Sequence, residues 1–156
     1  MDRSEELRYL ILAAQREGNR ALSVALRPYG LTTAQAEAVD VLRKARRPLT
    51  VKEIGERLIY EHGSPSRLMR TLVEKGLVER LAAKDDRRLT MLRLNARGRA
   101  AAGRMTEAKR QIDEAIAPIL EQHDVDATLA LLRSLIGDLP AGRALARRIA
   151  DEEATS

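Results

Sequence analysis

Leu7, Leu10, Ile11 and Ala14 recur at i, i+3, i+4 and i+7, the stripe of an amphipathic helix. Leu22 and Leu26 extend the stripe, and the helix is predicted to stop by Arg27, because Pro28 disfavours helix in the residue before it. Thr32 and Gln35 form a Thr-x-x-Gln capping box, which opens a second helix through Val39 and Leu42. A basic run, Arg43-Lys44-Ala45-Arg46-Arg47, ends it, and Pro48 forces a loop. Thr50 and Glu53 make a second capping box, whose helix carries Val51, Ile54 and Leu58 on one face.

Ser64-Pro65 pairs a favoured N-cap with a favoured first helical residue, so a fourth helix runs from Ser64 to Lys75 and stops at Gly76. The period then changes. Leu77–Leu81 and Thr90–Leu94 read as two short strands around the polar Lys84-Asp85-Asp86-Arg87-Arg88, a hairpin with a charged loop. Asn95 caps a further helix through Ala101, Met105, Ile112 and Ile116 to Leu120, with Pro118 expected to bend its last turns. Asp124 caps a last long segment with Val125, Leu129, Leu132, Ile136 and Leu139 at helical spacing, interrupted at Gly137 and Pro140. Helix is expected to resume over Arg143–Ala150 and to fray after Asp151.

Charge is unevenly placed along these elements. The net charge is +5 over 156 residues, but Arg43–Arg99 holds 16 Lys/Arg against 7 Asp/Glu, a net of +9. The remainder is mildly acidic. A basic middle between acidic helices points to an anionic partner there, of which nucleic acid is the commonest. Aromatic residues are only 2% of the chain, all tyrosine, which argues against a stacking platform for single strands. No cysteine is present, so thiolate metal sites, disulfides and thiol redox switching are excluded. The two histidines, His62 and His123, lie far apart, and the paired acids Asp85-Asp86 sit on a charged turn. An enzyme, a metal site and a cofactor are therefore not expected. The opening Met1-Asp2-Arg3-Ser4-Glu5-Glu6 is no signal peptide and no apolar run reaches the length of a membrane span, so the expected location is cytoplasmic, with no membrane partner.

The two capped helices followed by a charged hairpin have the layout of a winged helix-turn-helix, in which the second helix enters the DNA major groove and the hairpin reaches the minor groove. At about 100° per residue, Pro65, Leu68, Met69, Leu72 and Val73 cluster on one side of that helix. Arg67, Arg70 and Glu74 lie opposite, with Ser64, Ser66 and Thr71 at the margins. The DNA-contacting candidates are Ser64, Ser66, Arg67, Arg70 and Thr71 on the recognition helix and Asp86, Arg87 and Arg88 on the wing. Thr50, Lys52, His62 and Lys84 are candidates for the phosphate backbone. An arginine at the tip of the wing suits the negative potential of a narrow minor groove, and Asp86 is placed to hold Arg88. The alternative for this layout is a winged-helix protein-interaction adaptor without specific DNA binding.

The chain resembles the MarR (multiple antibiotic resistance regulator) family of bacterial transcription factors. The resemblance rests on Gly30-Leu31-Thr32-Thr33-Ala34-Gln35, on Leu49–Leu58, on Ser64-Pro65-Ser66-Arg67-Leu68, on Leu72–Arg80, on Asp86-Arg87-Arg88 and on Leu92–Gly98. Gly63 stands where members often have Ser or Thr, Pro65 where many have Val, and Asn95 where the wing signature has Thr. The resemblance implies a mainly α fold: a winged helix-turn-helix over 31–98 with a two-stranded wing, and a helical dimerisation module from 1–30 and 99–156. It also implies a homodimer on a pseudo-palindromic double-stranded operator, usually a repressor, released by a small-molecule effector. Effector pockets in such dimers lie between the two modules, and Tyr9, Tyr29 and Tyr60 are candidates by residue type.

Overall fold

A computed structural model of the chain describes residues 1–60, 63–82 and 89–154. Asp2 accepts the Glu5 N–H at 2.8 Å and opens α1 (Arg3–Leu26), which passes into a short 3-10 turn at Arg27–Tyr29 around Pro28. Helix α2 (Thr33–Ala45) starts from the Thr32–Gln35 capping box, with both reciprocal hydrogen bonds formed. Strand β1 (Leu49–Thr50) leads directly into α3 (Val51–Gly55), whose Thr50–Glu53 capping box is likewise complete. Then follow α4 (Pro65–Glu74), β2 (Val78–Ala82), β3 (Thr90–Leu94), α5 (Ala96–Leu120), α6 (Val125–Ile136) and α7 (Pro140–Glu153).

Four boundaries differ from those predicted. The first is β1, which the sequence reading treats as loop. It pairs antiparallel with β3, Leu49 opposite Leu92 and Thr50 opposite Met91, so the sheet among the described residues has three strands in the order β1-β3-β2. Two residues after Pro48, the second itself a helix cap, are too few to carry a period-2 signal. The second is α3, which was expected to reach Leu58 but is regular only to Gly55. Beyond it the turns tighten, with Arg57 N–H donating to Ile54 O and Leu58 N–H to Gly55 O. The N–H groups of Ile59 and Tyr60 then go to a side chain of α2 and not to the preceding turn.

The third is β2, which starts at Val78, one residue late. Gly76 takes φ +68°, its N–H donates to Val73 O, and Leu77 N–H donates to Leu72 O. This is the paired bonding of a Schellman motif, which uses Leu77 to close α4. The fourth is α7, which begins at Pro140 in the first helical position and continues to Glu153.

The core is aliphatic. Leu26, Val39, Leu49, Ile54, Met69, Leu72, Leu92 and Met105 are its largest fully buried side chains. Burying each leucine or isoleucine contributes about 1.5–3 kcal/mol. These residues bring α2, α3, α4 and the sheet together, and α1 and α5 close the core through Leu26 and through Ala101, Ala102 and Met105. Apart from Leu26, α1 has no buried residue, and α6 has none. Leu10, Ile119 and Leu139 are each about 60% exposed, and Leu12, Ile116, Leu131 and Leu135 are also exposed.

Gly98 marks the closest approach between α5 and the winged helix. A Cβ there would stand 2.0 Å from Leu77 O and 3.0 Å from the Leu77 carbonyl carbon, while one at Gly103 in the same helix would meet nothing within 4 Å. Gly98→Ala is expected to destabilise by about 3 kcal/mol through overpacking. Gly103→Ala should stabilise by about 0.5–1 kcal/mol, since a helix interior favours alanine. Thermal melts of the two variants check this; a parent-like melt for Gly98→Ala would contradict the packing described.

Candidate nucleic-acid interface

Helix α4 presents two chemically distinct faces, as its periodicity predicts. Met69 and Leu72 are buried, and Leu68 and Val73 pack partly buried against the core. Ser64, Ser66, Arg67, Arg70 and Glu74 are exposed on the other side. Thr71 is half-buried, and its hydroxyl donates to Arg67 O at 3.1 Å. Ser64 occupies the N-cap in extended conformation, yet its side chain makes no capping bond, and Pro65 fills the first helical position. The hydroxyl of Ser64 and the guanidinium groups of Arg67 and Arg70 thus have no partner among the described residues.

The phosphate-backbone candidates divide. Lys52 is exposed on the first turn of α3. Thr50 is occupied, its hydroxyl accepting the Glu53 N–H at 3.2 Å and donating to the Glu53 carboxylate at 3.0 Å. Burial pushes the Glu53 carboxyl upward, but the Thr50 N–H and the Arg47 guanidinium at 2.8 Å outweigh this and hold it below its usual range. His62, Lys84, Asp86, Arg87 and Arg88 lie outside the described residues. The strands leading to that wing segment are fixed in register, Val78 opposite Leu94 through to Ala82 opposite Thr90. Arg93 and Glu79 face each other across them as an ion pair, the favourable arrangement for opposite charges on neighbouring strands.

Sequence reasoning missed the polar cluster behind this interface. Glu37 and Asp40 lie on the buried side of α2, only 4% and 6% exposed. Glu37 Oε1 accepts the Ile59 N–H at 2.9 Å and Arg148 Nη1 at 2.8 Å, and Oε2 accepts the Tyr60 N–H at 2.9 Å. Asp40 Oδ1 accepts from Arg43 at 2.9 Å, and Oδ2 from Arg148 Nη2 at 3.2 Å, with Lys44 and Lys109 both 3.5 Å away. Arg148 of α7 therefore bridges both carboxylates. A second pair ties the same helix down: Arg57 donates to both carboxylate oxygens of Asp151, at 2.7 and 3.2 Å. That contact holds the Asp151 carboxyl below its usual range. The available signal was the pair of acids inside the otherwise apolar Ala36–Leu42 stretch, since a buried carboxylate requires a counter-charge.

Beside this cluster a cleft of about 440 Å³ opens between α1, α2 and α5, lined by Leu22, Glu37, Tyr60, Lys109, Ile112 and Arg148 among others. Burial and the neighbouring Glu37 push the Tyr60 phenol above its ordinary range, against the opposing effect of Arg148. Of the other tyrosines, Tyr9 is exposed under the Arg8 guanidinium and Tyr29 donates to Arg104 O.

A family model described as a winged helix DNA-binding domain matches residues 31–98. The chain is similar to a mutant MarR from E. coli solved in complex with operator DNA. The TM-score is 0.74 and the identity 25%, over 87% of this chain and 99% of that one. It is also similar to a MarR-family transcriptional regulator from Silicibacter pomeroyi, with a TM-score of 0.67 and 26% identity over 85% of this chain and 89% of that one. The MepR–DNA complex of S. aureus shares the fold at TM-score 0.74 and 20% identity, over 84% of this chain and 94% of that one. No curated protein matches the chain.

The buried cluster makes an acid-side prediction. Burial raises the Asp40 carboxyl, but Lys109, Arg43 and Lys44 together more than reverse this and leave it below its ordinary value. A lowered folded pKa stabilises the fold above the ordinary aspartate range, near about pH 4, and that contribution is lost as pH falls through the folded value. Asp40→Asn is therefore expected to cost on the order of 1–3 kcal/mol at neutral pH. The difference from the parent should shrink below about pH 4. Urea denaturation across that range measures both; a constant difference would remove Asp40 from the acid transition.

Proposed function

We propose, from the premise that the chain belongs to the MarR family of winged-helix transcriptional regulators, that it works as a homodimer on a pseudo-palindromic operator, represses transcription, and is released by a small-molecule ligand. The observation that carries this reading is the outward face of α4, where Arg67 and Arg70, without a partner among the described residues, stand on a helix anchored from behind by Met69 and Leu72. In the proposed complex, residues 31–98 form the DNA-binding module. Ser64, Ser66, Arg67, Arg70 and Thr71 face the major groove, and at least one of the two arginines reads a base. Arg87 and Arg88 enter the minor groove, with Asp86 orienting Arg88, while Thr50, Lys52, His62 and Lys84 lie along the phosphates.

Residues 1–30 and 99–156 form the dimerisation module in this reading. Its support is the apolar surface on α1, α5 and α6, which a single chain leaves open to water and which a two-fold contact would cover. The cleft between the modules offers apolar walls at Leu22 and Ile112 beside the cations Lys109 and Arg148, and it is the proposed effector site. A DNA partner places the protein in the cytoplasm, and among the described residues no helix is long and apolar enough to cross a membrane.

Sedimentation at micromolar concentration should find a dimer; a folded monomer there would defeat the dimer assignment. Genome-wide binding-site sequencing with the purified protein supplies the operator for the remaining tests. Gel shifts on it should show a specific complex, whereas an adaptor would give none. If about six to ten phosphates are neutralised, the log–log salt slope is expected at about −5 to −9.

Arg88→Ala should weaken operator and scrambled DNA by similar factors, because the minor groove carries a degenerate pattern. Arg67→Ala or Arg70→Ala should narrow the gap between operator and scrambled DNA by about 1–3 kcal/mol. Affinities for both DNAs at one fixed salt concentration decide the matter. An Arg88→Ala protein with unchanged affinities contradicts the wing assignment, and full discrimination in both recognition-helix variants contradicts the groove assignment.

A further inference from the structure

The segment between α3 and α4 is held in an unusual way. Leu58 is buried, but Ile59 is exposed and Tyr60 only half-buried, so apolar contact anchors the segment weakly at its far end. Helix α3 has already ended at Gly55, and the N–H groups of Ile59 and Tyr60 find no carbonyl partner in it. Both are taken by one carboxylate, Glu37 of α2, at 2.9 Å each. That carboxylate is in turn fixed from the opposite side by Arg148 of α7 at 2.8 Å. A carboxylate accepting from two backbone N–H groups and a guanidinium has its oxygens and its charge satisfied only in this one orientation. Five residues further along the chain Pro65 opens α4, and its ring stands over Gly55, 3.0 Å from where a Cβ would be. The recognition helix is thus packed against the end of α3, from which the chain runs on into the Ile59–Tyr60 turn.

We infer that Glu37 and Arg148 are positioning residues for DNA recognition: α7 sets the placement of α4 by clamping Glu37, which in turn holds the Ile59–Tyr60 backbone. The inference rests on the DNA-binding reading above and adds a route by which the C-terminal helix acts on the reading head. It has a consequence opposite in sign to simple electrostatics. Glu37→Gln removes a negative charge from a protein that binds a polyanion, so charge alone strengthens DNA binding. Positioning requires the reverse. A glutamine amide offers one oxygen in place of two and turns its own NH2 toward a backbone N–H, so one of the two N–H groups loses its acceptor.

The test uses the full-length protein, with amide hydrogen exchange at Ile59 and Tyr60 in the absence of DNA and affinity for operator and scrambled DNA. Arg148→Ala should speed exchange at both amides, and Glu37→Gln at one of them at least, by about three- to tenfold, the worth of a hydrogen bond. Each should also weaken operator binding by about 3- to 30-fold, the range of coupling through packed networks. Arg148→Lys, which keeps the charge, should recover part of both effects. Lys44→Ala removes a pair between α2 and α7 that does not touch Glu37 and should leave exchange at Ile59 and Tyr60 unchanged. Glu37→Gln binding the operator as tightly as the parent or more tightly, or parent-like exchange in Arg148→Ala, overturns the inference. Should Arg148→Ala not fold, Arg148→Lys is read for the same two quantities, and parent values for both overturn it equally. A parent protein without specific DNA binding defeats the function proposed above, and the exchange measurements then decide the clamp by themselves.

Discussion

Two carboxylates buried in an aliphatic core impose the arrangement of everything around them. Glu37 and Asp40 sit on the stretch of α2 that also supplies Val39 and Leu42 to the core. A charge taken out of water is costly unless it is paired and hydrogen-bonded. Helix α2 can supply only part of the compensation, through Arg43 and Lys44 on its own last turns. The rest comes from Lys109 of α5 and Arg148 of α7. Burying the core face of α2 therefore demands that two C-terminal helices be present and docked. Replacing such a cluster by packed hydrophobes often leaves stability unchanged or improved. Its effect is on geometry: it determines which helices meet, and in which register.

Much of the local structure was readable where the chemistry is local. The capping boxes at Thr32 and Thr50 form as their residues predict, and the caps at Asn95 and Asp124 are made by the side chains expected. Two of the four boundary differences fall where a distant partner decides, whereas the late start of β2 and the early start of α7 turn on local chemistry at Gly76 and Pro140. Strand β1 exists because β3 pairs with it, and nothing within Leu49–Thr50 announces that partner. Past Leu58 the N–H groups of Ile59 and Tyr60 go to Glu37, 22 and 23 residues earlier, and not to a local carbonyl. The ion cluster was illegible for the same reason, since Arg148 is 111 residues from Glu37 and no periodicity connects them. The candidate site was legible on α4, where a single amphipathic helix exposes Arg67 and Arg70 by its own geometry. At Thr50 the hydroxyl is used in the helix cap, a role that its capping box with Glu53 also announces.

The surplus charge of the middle segment needs the same distinction between local count and three-dimensional use. Of its cations, Arg43 and Lys44 face Asp40, Arg47 faces Glu53, Arg57 faces Asp151 and Arg93 faces Glu79. Lys75 and Arg99 donate to backbone carbonyls of Gly30 and Leu94. These groups have acceptors within the chain, so part of the segment's positive charge is already compensated. Arg67 and Arg70 are exposed and have no partner among the described residues, on a helix whose opposite face packs on the core. The net charge of a segment thus overstates the field offered to a polyanion, and the arginines left without internal partners locate it better.

Exposed apolar surface lies on α6 and the last turns of α5, and the buried ion cluster draws on Lys109 of α5 and Arg148 of α7. Helix α6 has no fully buried residue, whereas α7 is tied to the winged helix through Arg148 and Asp151. In the proposed dimer, covering Leu131, Leu135 and Leu139 would fix α6, and the short turn from Ile136 to Pro140 would carry that constraint to α7. Apolar burial is non-directional and tolerates small slips, while a guanidinium shared between two carboxylates does not. Association through the first kind of contact and alignment through the second divide the work between them. The dimer interface would supply affinity between chains, and Arg148 would convert the resulting helix position into a defined placement of α4. An operator read by two recognition helices at a fixed spacing requires that second property as much as the first.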